Sequence, residues 1–344
     1  MKALCAIASL VLAGSVFADE PAMFRGDARH SGLSTAPGAP TLGGVKWKFK
    51  TGGWVVSSPT VANNVIYFGS TDHHVYAVDA TSGTQLWKVK TGGRVVSSAA
   101  VADGLVFIGS YDSNLHALDA KTGETRWKFK TAGERRFTAK HLHGGEPAAE
   151  QMADPFDFYL SSPAVSQGVI YFGSGDGNIY ALSAATGELR WKFQTGDVVH
   201  ASPAVADGTV YIGSWDSFFY ALDAVTGKER WRYKTGEDHA IYNQVGIQSS
   251  AVIADGSVYF GCRDSKVYAL DAKTGAERWA FSNKGSWVIG TPIVSEGKLY
   301  FTTSDSGMFH ALSSASGTPV FSLKLLWPMF SSPAIAGNTL YLGT

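Results

Sequence analysis

Two histidines one residue apart, His141 and His143, are the first pattern in this chain that suggests chemistry. With Asp154 or His200 they would form part of a metal site. A structural zinc needs four well-placed ligands, and a His-x-His on a loop supplies half of them. No metal site is expected on this evidence. An aspartate also recurs after Gly-Ser or its equivalent, at Asp72, Asp112, Asp176, Asp216, Asp264 and Asp305. Such a ring has a cation-binding reading, but Asp at this place in a tight turn is more simply the Asx pattern that stabilises the turn. The Gly-Ser-x-Asp turn lacks the second Gly and the following helix of a nucleophile elbow. Of the cysteines, Cys5 lies in the first few residues. Cys262 stands where other copies carry Ser70, Ser110, Ser174 and Ser214, which reads as a small buried side chain. No catalytic residue is assigned.

The elements that position these residues are repeats. A block of about forty residues recurs. It reads Ser-Ser-Pro-x-Val, an apolar Tyr-Phe-Gly-Ser run, Ala-Leu-Asp-Ala-x-Thr-Gly, and Trp-Lys-Phe. Its Trp falls at Trp47, Trp87, Trp127, Trp191, Trp231 and Trp279, with Phe321 in the next copy. Within one copy, Ser57–Val61, Val65–Gly69, His74–Asp79 and Gln85–Lys90 read as strands. They are β-branched or aromatic, alternate in polarity and are separated by Asn, Asp and Gly turns. Four antiparallel strands per copy make a propeller blade. The expected fold is all-β: a propeller of seven blades, the last composite and incomplete. Lys46–Lys50 is expected to serve as its fourth strand beside Ser331–Gly343. The recurring tryptophans read as packing between blades.

Lys2, the apolar run from Ala3 to Val16 and the small residues before Asp19 read as a secretory signal peptide over 1–18. A lead-in over 19–45 and a single propeller over 46–344 follow, with an insertion at 134–160. Export places the protein in the periplasm or outside the cell. The 29 basic and 29 acidic residues balance, which argues against a nucleic-acid partner. No other stretch is long and apolar enough for a transmembrane segment. A monomer is expected.

The motif Ala-Leu-Asp-Ala-x-Thr-Gly-x-x-x-Trp at Ala117–Trp127, Ala221–Trp231 and Ala269–Trp279 resembles the pyrroloquinoline-quinone (PQQ)-like repeat. The likeness covers 41–344. With Met23-Phe24-Arg25-Gly26-Asp27, the chain looks like secreted PQQ-binding-like propeller proteins related to BamB-type outer-membrane assembly subunits and to quinoprotein dehydrogenases. The resemblance implies either a non-catalytic scaffold or, as the alternative, a PQQ-dependent alcohol or sugar dehydrogenase. The adjacent cysteine pair and the calcium set that the resemblance attaches to the dehydrogenases are absent from the sequence. The BamB-type lipidated cysteine is replaced by Asp19, so no lipid anchor by that route is expected.

Both large insertions, 134–160 and 237–248, fall in blade-to-blade connections, on the face shared with the Gly-Ser-x-Asp turns. Insertions confined to one face of a repeat array mark a binding face. The residues there that depart from the repeat are Trp54, Arg94, Arg135, Arg136, His141, His143, Asp157, His200, His239, Gln248, Trp287 and Trp327. Aromatic, cationic and amide groups around a channel mouth suit a protein segment or a polar, acidic small ligand. The 134–160 insertion is expected to fold over the mouth near His200, Trp287 and Trp327.

Overall fold

The computed structural model describes residues 21–36, 38, 43–140, 151–236 and 245–343. The signal-peptide reading, His141, His143 and His239 lie outside them. Among the described residues no helix is long and apolar enough to cross a membrane.

The fold is an all-β propeller of seven blades. Six are four-stranded antiparallel sheets in simple up-and-down order, running over 60–90, 100–130, 164–194, 204–234, 252–282 and 293–324. In blade 1 the strands are Thr60–Ala62, Val65–Ser70, His74–Asp79 and Gln85–Lys90. The innermost strand is short and built of small residues, because seven such strands crowd around one axis. The middle strands carry Val, Ile, Tyr and Phe on both faces because both faces are covered by neighbouring blades. One apolar cluster accordingly joins Tyr67, Val75 and Trp87 of blade 1 to Val95, Val101 and Val106 of blade 2.

Each recurring Trp sits over the Gly of the next blade's hairpin. A Cβ on Gly123 would lie 2.9 Å from the Trp87 ring, and Gly123 also holds φ of +78°, so no other residue fits there. The Trp87 indole N–H donates to the Ala120 carbonyl (3.0 Å). Trp127, Trp191, Trp231 and Trp279 make the equivalent bonds to the carbonyls of Ala184, Ala224, Ala272 and Ser314. A register shift at Ala77/Val78, repeated in every four-stranded blade, inserts one residue beside the Trp and turns it toward the neighbour.

The closing blade differs from the expectation in one respect. Lys46–Lys50 forms no strand with Ser331–Gly343. The seventh sheet is instead Leu33–Ser34, parallel to Ala334–Ala336, which pairs with Thr339–Tyr341. Trp47 nevertheless holds the outer-strand place: its indole N–H donates to the Ala80 carbonyl (3.1 Å), and its ring covers Gly83.

Residues 22–34 do more than lead in. They cross the face that bears the hairpins and bond the inner strands in turn. Ala22 exchanges backbone bonds with Val101, the Val205 N–H donates to the Ala28 carbonyl (2.6 Å), and the Ile253 N–H donates to the Arg29 carbonyl (3.0 Å). This strap ends on blade 7, where the Ile335 N–H donates to the Gly32 carbonyl (3.1 Å).

Candidate functional site: a plugged channel mouth

On the opposite face, each blade-to-blade connection is tied to the Gly-Ser-x-Asp turn beside it. The N–H of the variable residue donates to the connection: Thr71 to Trp54, Tyr111 to Arg94, Trp215 to Val198, Arg263 to Gly246 and Ser304 to Trp287. The following aspartate clamps the same connection. Asp72 Oδ2 accepts the Gly52 N–H (2.8 Å) and the Tyr76 hydroxyl (2.7 Å), while Oδ1 accepts the His74 N–H (3.1 Å). Asp112, Asp176, Asp216 and Asp264 repeat the clamp on Gly92, Ala132, Gly196 and Gly236. This is turn stabilisation of the Asx kind, and it accounts for five of the six aspartates in the ring. Asp305 instead accepts the Ser304 hydroxyl (2.6 Å).

Of the 134–160 insertion, the described parts, 134–140 and 151–160, fold inward over the axis. They contain a short antiparallel pair, Thr138–Lys140 with Gln151–Ala153. Glu134 accepts the Gly175 N–H (2.9 Å) and the Ser174 hydroxyl (3.1 Å), and the Arg135 Nε–H donates to the Gly175 carbonyl (2.9 Å). Arg136 donates to the carbonyls of Asp157 and Asp154, and Asp157 also accepts the Phe137 N–H. These bonds fix the two aspartates over the channel.

Each aspartate then meets a buried cation. Asp154 pairs with Arg263, and both side chains are fully buried. The Arg263 guanidinium lies between two indole rings, 4.3 Å from the Trp215 centroid and 4.0 Å from that of Trp287. Gln248 Oε1 accepts from its Nε (3.1 Å) and its second amino nitrogen (2.9 Å). A buried charge needs this many partners, because its lost hydration is worth several kcal/mol. Burial lowers the Arg263 pKa, and Asp154 opposes that shift. Phe137 stacks on Trp215 at 4.3 Å, and Phe156 meets Trp287 edge-on and stacks on Phe330. The Gln248 amide donates to the Phe156 carbonyl (2.8 Å).

Asp157 takes the second cation. His200 Nδ1 lies 2.6 Å from Asp157 Oδ1, and its Nε2 lies 3.8 Å from Glu134 Oε2. Burial alone would lower the His200 pKa, but Asp157 and then Glu134 lift it to about 9. The imidazole is therefore charged at neutral pH, with Nδ1–H donating to Asp157.

Of the residues singled out from the sequence, Arg136, Asp157, His200, Gln248 and Trp287 converge here. The other described ones stand apart, and His141, His143 and His239 lie outside the described residues. Trp54 is 81% exposed and Trp327 66% exposed. Arg135 is exposed, and so is Arg94, which lies over the Tyr111 ring at 5.0 Å. Arg263, Trp215, Phe137, Phe156 and Phe330 were not anticipated. Arg263, Trp215 and Tyr111 occupy the one variable position of the Gly-Ser-x-Asp turn, and that variability was the available signal. Asp154 pairs with Arg263 and His200 with Asp157. Cys262 is fully buried, and burial raises its pKa well above the ordinary thiol value.

Fold and repeat together define a PQQ-like repeat propeller. The family described as outer membrane protein assembly factor BamB matches residues 39–148, 149–286 and 263–344, and the chain belongs to that family. No curated protein matches the sequence. Among solved structures, BamB from Moraxella catarrhalis superposes with a TM-score of 0.69 at 18% identity, covering 88% of this chain and 84% of that one. A europium-containing methanol dehydrogenase gives 0.66 at 15% identity, covering 85% and 74%. The computationally designed Ika8 protein gives 0.64 at 17%, covering 84% and 80%. At these identities the likeness is one of fold.

A planar quinone of the kind the repeat is named for does not fit this mouth. The indole faces that would stack on it are taken by Phe137 and Arg263 on Trp215, and by Arg263 on Trp287. Among the described residues no group of three or more His, Cys, Asp or Glu is disposed to hold an accompanying cation.

Proposed function

We propose that the protein is an exported, non-catalytic binding scaffold, which recognises a protein segment on the face bearing the blade-to-blade connections. The observation that carries this reading is the uneven covering of that face. The insertion seals the sector of blades 3 to 6. The sector of blades 7 and 1 presents Trp54, Val55, Leu326 and Trp327, all exposed, beside exposed Arg94. Bare aromatic side chains with a flanking arginine are the composition of binding hot spots. The arginines favour a segment with acidic residues. The family to which the chain belongs is described as an outer membrane assembly factor, which supports a protein partner and a periplasmic location. The alternative, a PQQ-dependent dehydrogenase, has the support of the fold alone, and the filled mouth speaks against it.

The test uses phage-displayed random peptides, selected on the full-length protein and counter-selected on a Trp54→Ala/Trp327→Ala variant. Enrichment of peptides combining apolar and acidic residues, with binding lost in the variant, is the expected result. Selected peptides that bind both proteins equally would overturn the assignment to this sector.

A further inference from the structure

The outermost strand of each blade turns its Trp and the second residue after it toward the next blade. The alternate residues fall on the opposite flank. In blades 1 and 2 these are Lys88 and Lys90, then Lys128 and Lys130, all exposed. In blades 3 and 4 they are Lys192 and Gln194, then Arg232 and Lys234, also exposed. Blade 5 has Ala280 and Ser282 instead, and blade 6 has Ser322 and Lys324. The Lys324 ammonium donates to the Ser306 carbonyl (2.5 Å). Lys266 of blade 5 lies on the third strand, opposite Ser282 and beside Asp264. A basic arc therefore runs over four successive blades and stops.

Two ordinary uses of such charges do not account for the arc. Lysine on an outer strand guards against edge-to-edge pairing. That need is the same in every blade, yet blade 5 has neither base of the pair. Pairing within the fold is the other use. At the hairpin end of these strands the arginines are paired: Arg126 with Asp119, Arg230 with Asp223 and Arg278 with Asp271, at 2.7 to 2.8 Å. Among the described residues none of the six lysines of the arc forms an ion pair, and Arg232 lies 3.7 Å from Glu229.

The arc has a plane. Lys90, Lys130 and Lys234 end their strands. The next residue in each case, Thr91, Thr131 or Thr235, donates its N–H to the mouth-side turn, at the carbonyls of His73, Ser113 and Ser217 (2.8 to 2.9 Å). Equivalent positions in units repeated around one axis lie on one circle, and so in one plane. Exposed Arg94 and Arg135 belong to the same side. The carboxylates described there in these blades are engaged with backbone N–H groups: Asp72, Asp112, Asp176 and Asp216 in their clamps, and Asp197 with Val198 (2.8 Å).

We propose that this arc docks the mouth face of blades 1 to 4 on an anionic phospholipid bilayer. The bases are lysines but for one. Arginine is the residue that matches a carboxylate in two-point geometry, and this fold uses it where it pairs carboxylates. Lysine is a point charge and is depleted at protein–protein interfaces. A planar series of unpaired lysines suits diffuse charge spread over a flat surface, where each adds to the attraction. No exposed apolar side chain interleaves with the arc, so the contact is with headgroups. The proposal does not rest on the aromatic sector of blades 7 and 1.

The experiment sediments the full-length protein with vesicles of phosphatidylcholine, with and without phosphatidylglycerol, at low and at high salt. Binding is expected only with phosphatidylglycerol, and salt should remove it. Lys90→Glu/Lys130→Glu/Lys234→Glu should weaken it by at least about tenfold. The charge-matched Lys121→Glu/Lys228→Glu/Lys273→Glu, exposed on the hairpin face, should bind as the parent does, and so should Trp54→Ala/Trp327→Ala. No binding, equal binding to neutral vesicles, equal losses in the two triple variants, or loss in the tryptophan variant would each overturn the proposal. Capture of soluble polyglutamate, with the vesicles left unbound, would assign the arc to an acidic protein and overturn it too.

Discussion

Trp54 and Trp287 occupy the same place in the repeat, three residues before the inner-strand motif, yet one is 81% exposed and the other 4%. The repeat sets where both stand. Trp287 is covered by Arg263 from the neighbouring blade's turn and by Phe156 of the insertion, whose Asp154 holds that arginine, while no such cover lies over Trp54 among the described residues. A propeller face is thus not one surface. It is a ring of equivalent positions, which a loop from one blade can close sector by sector. The sealed sector is held by buried polar groups that must all be satisfied, and the open one by almost nothing.

The largest effect expected from breaking this difference comes from Asp154→Ala. It leaves the Arg263 guanidinium buried between two indoles without its counter-ion, and should cost about 3–5 kcal/mol in chemical denaturation. Asp154→Leu combined with Arg263→Met should recover much of that loss, because paired apolar groups need no counter-charge. A single variant as stable as the parent would show that the plug is not bolted by this pair. Trp127→Ala, which empties a space between blades 2 and 3, should fall in the same range of about 3–5 kcal/mol.

Of similar size is the direct comparison of the two tryptophans. Trp287→Ala should cost about 3–5 kcal/mol, while Trp54→Ala should stay within about 0.5 kcal/mol. Equal effects would mean that the two sectors are covered alike in solution.

A further difference is a pH dependence confined to the sealed sector. His200 has a folded-state pKa of about 9, above the ordinary value of 6.5 that applies unfolded. Its contribution is therefore fully present below about pH 6.5 and lost as pH rises through about 9. His200→Gln should flatten the stability profile across that window. A profile that still falls between those values in the variant would assign the loss to another group.

The blades were legible because each is a local unit: alternation, turn residues and the Trp recur within forty residues and need no distant partner. Even the composite closure was legible in outline, from Trp47 at one end and Ser331–Gly343 at the other. The pairing of Leu33–Ser34 with the last blade was not, since two residues carry no periodicity. At the mouth, Arg136, Asp157, His200, Gln248 and Trp287 stood out as departures from the repeat. Arg263 was hidden because it follows Cys262 inside a turn that otherwise looked conventional. That Asp154 would meet Arg263, 109 positions away, is a tertiary fact that no local pattern encodes.

Oxidative footprinting of tryptophan on the full-length protein, with and without a selected acidic peptide, tests the two-sector account most directly. The account predicts that Trp54 and Trp327 are oxidised readily while Trp215 and Trp287 are protected, and that the peptide protects Trp54 and Trp327. Ready oxidation of Trp287 in the free protein, or peptide protection confined to other residues, would contradict it.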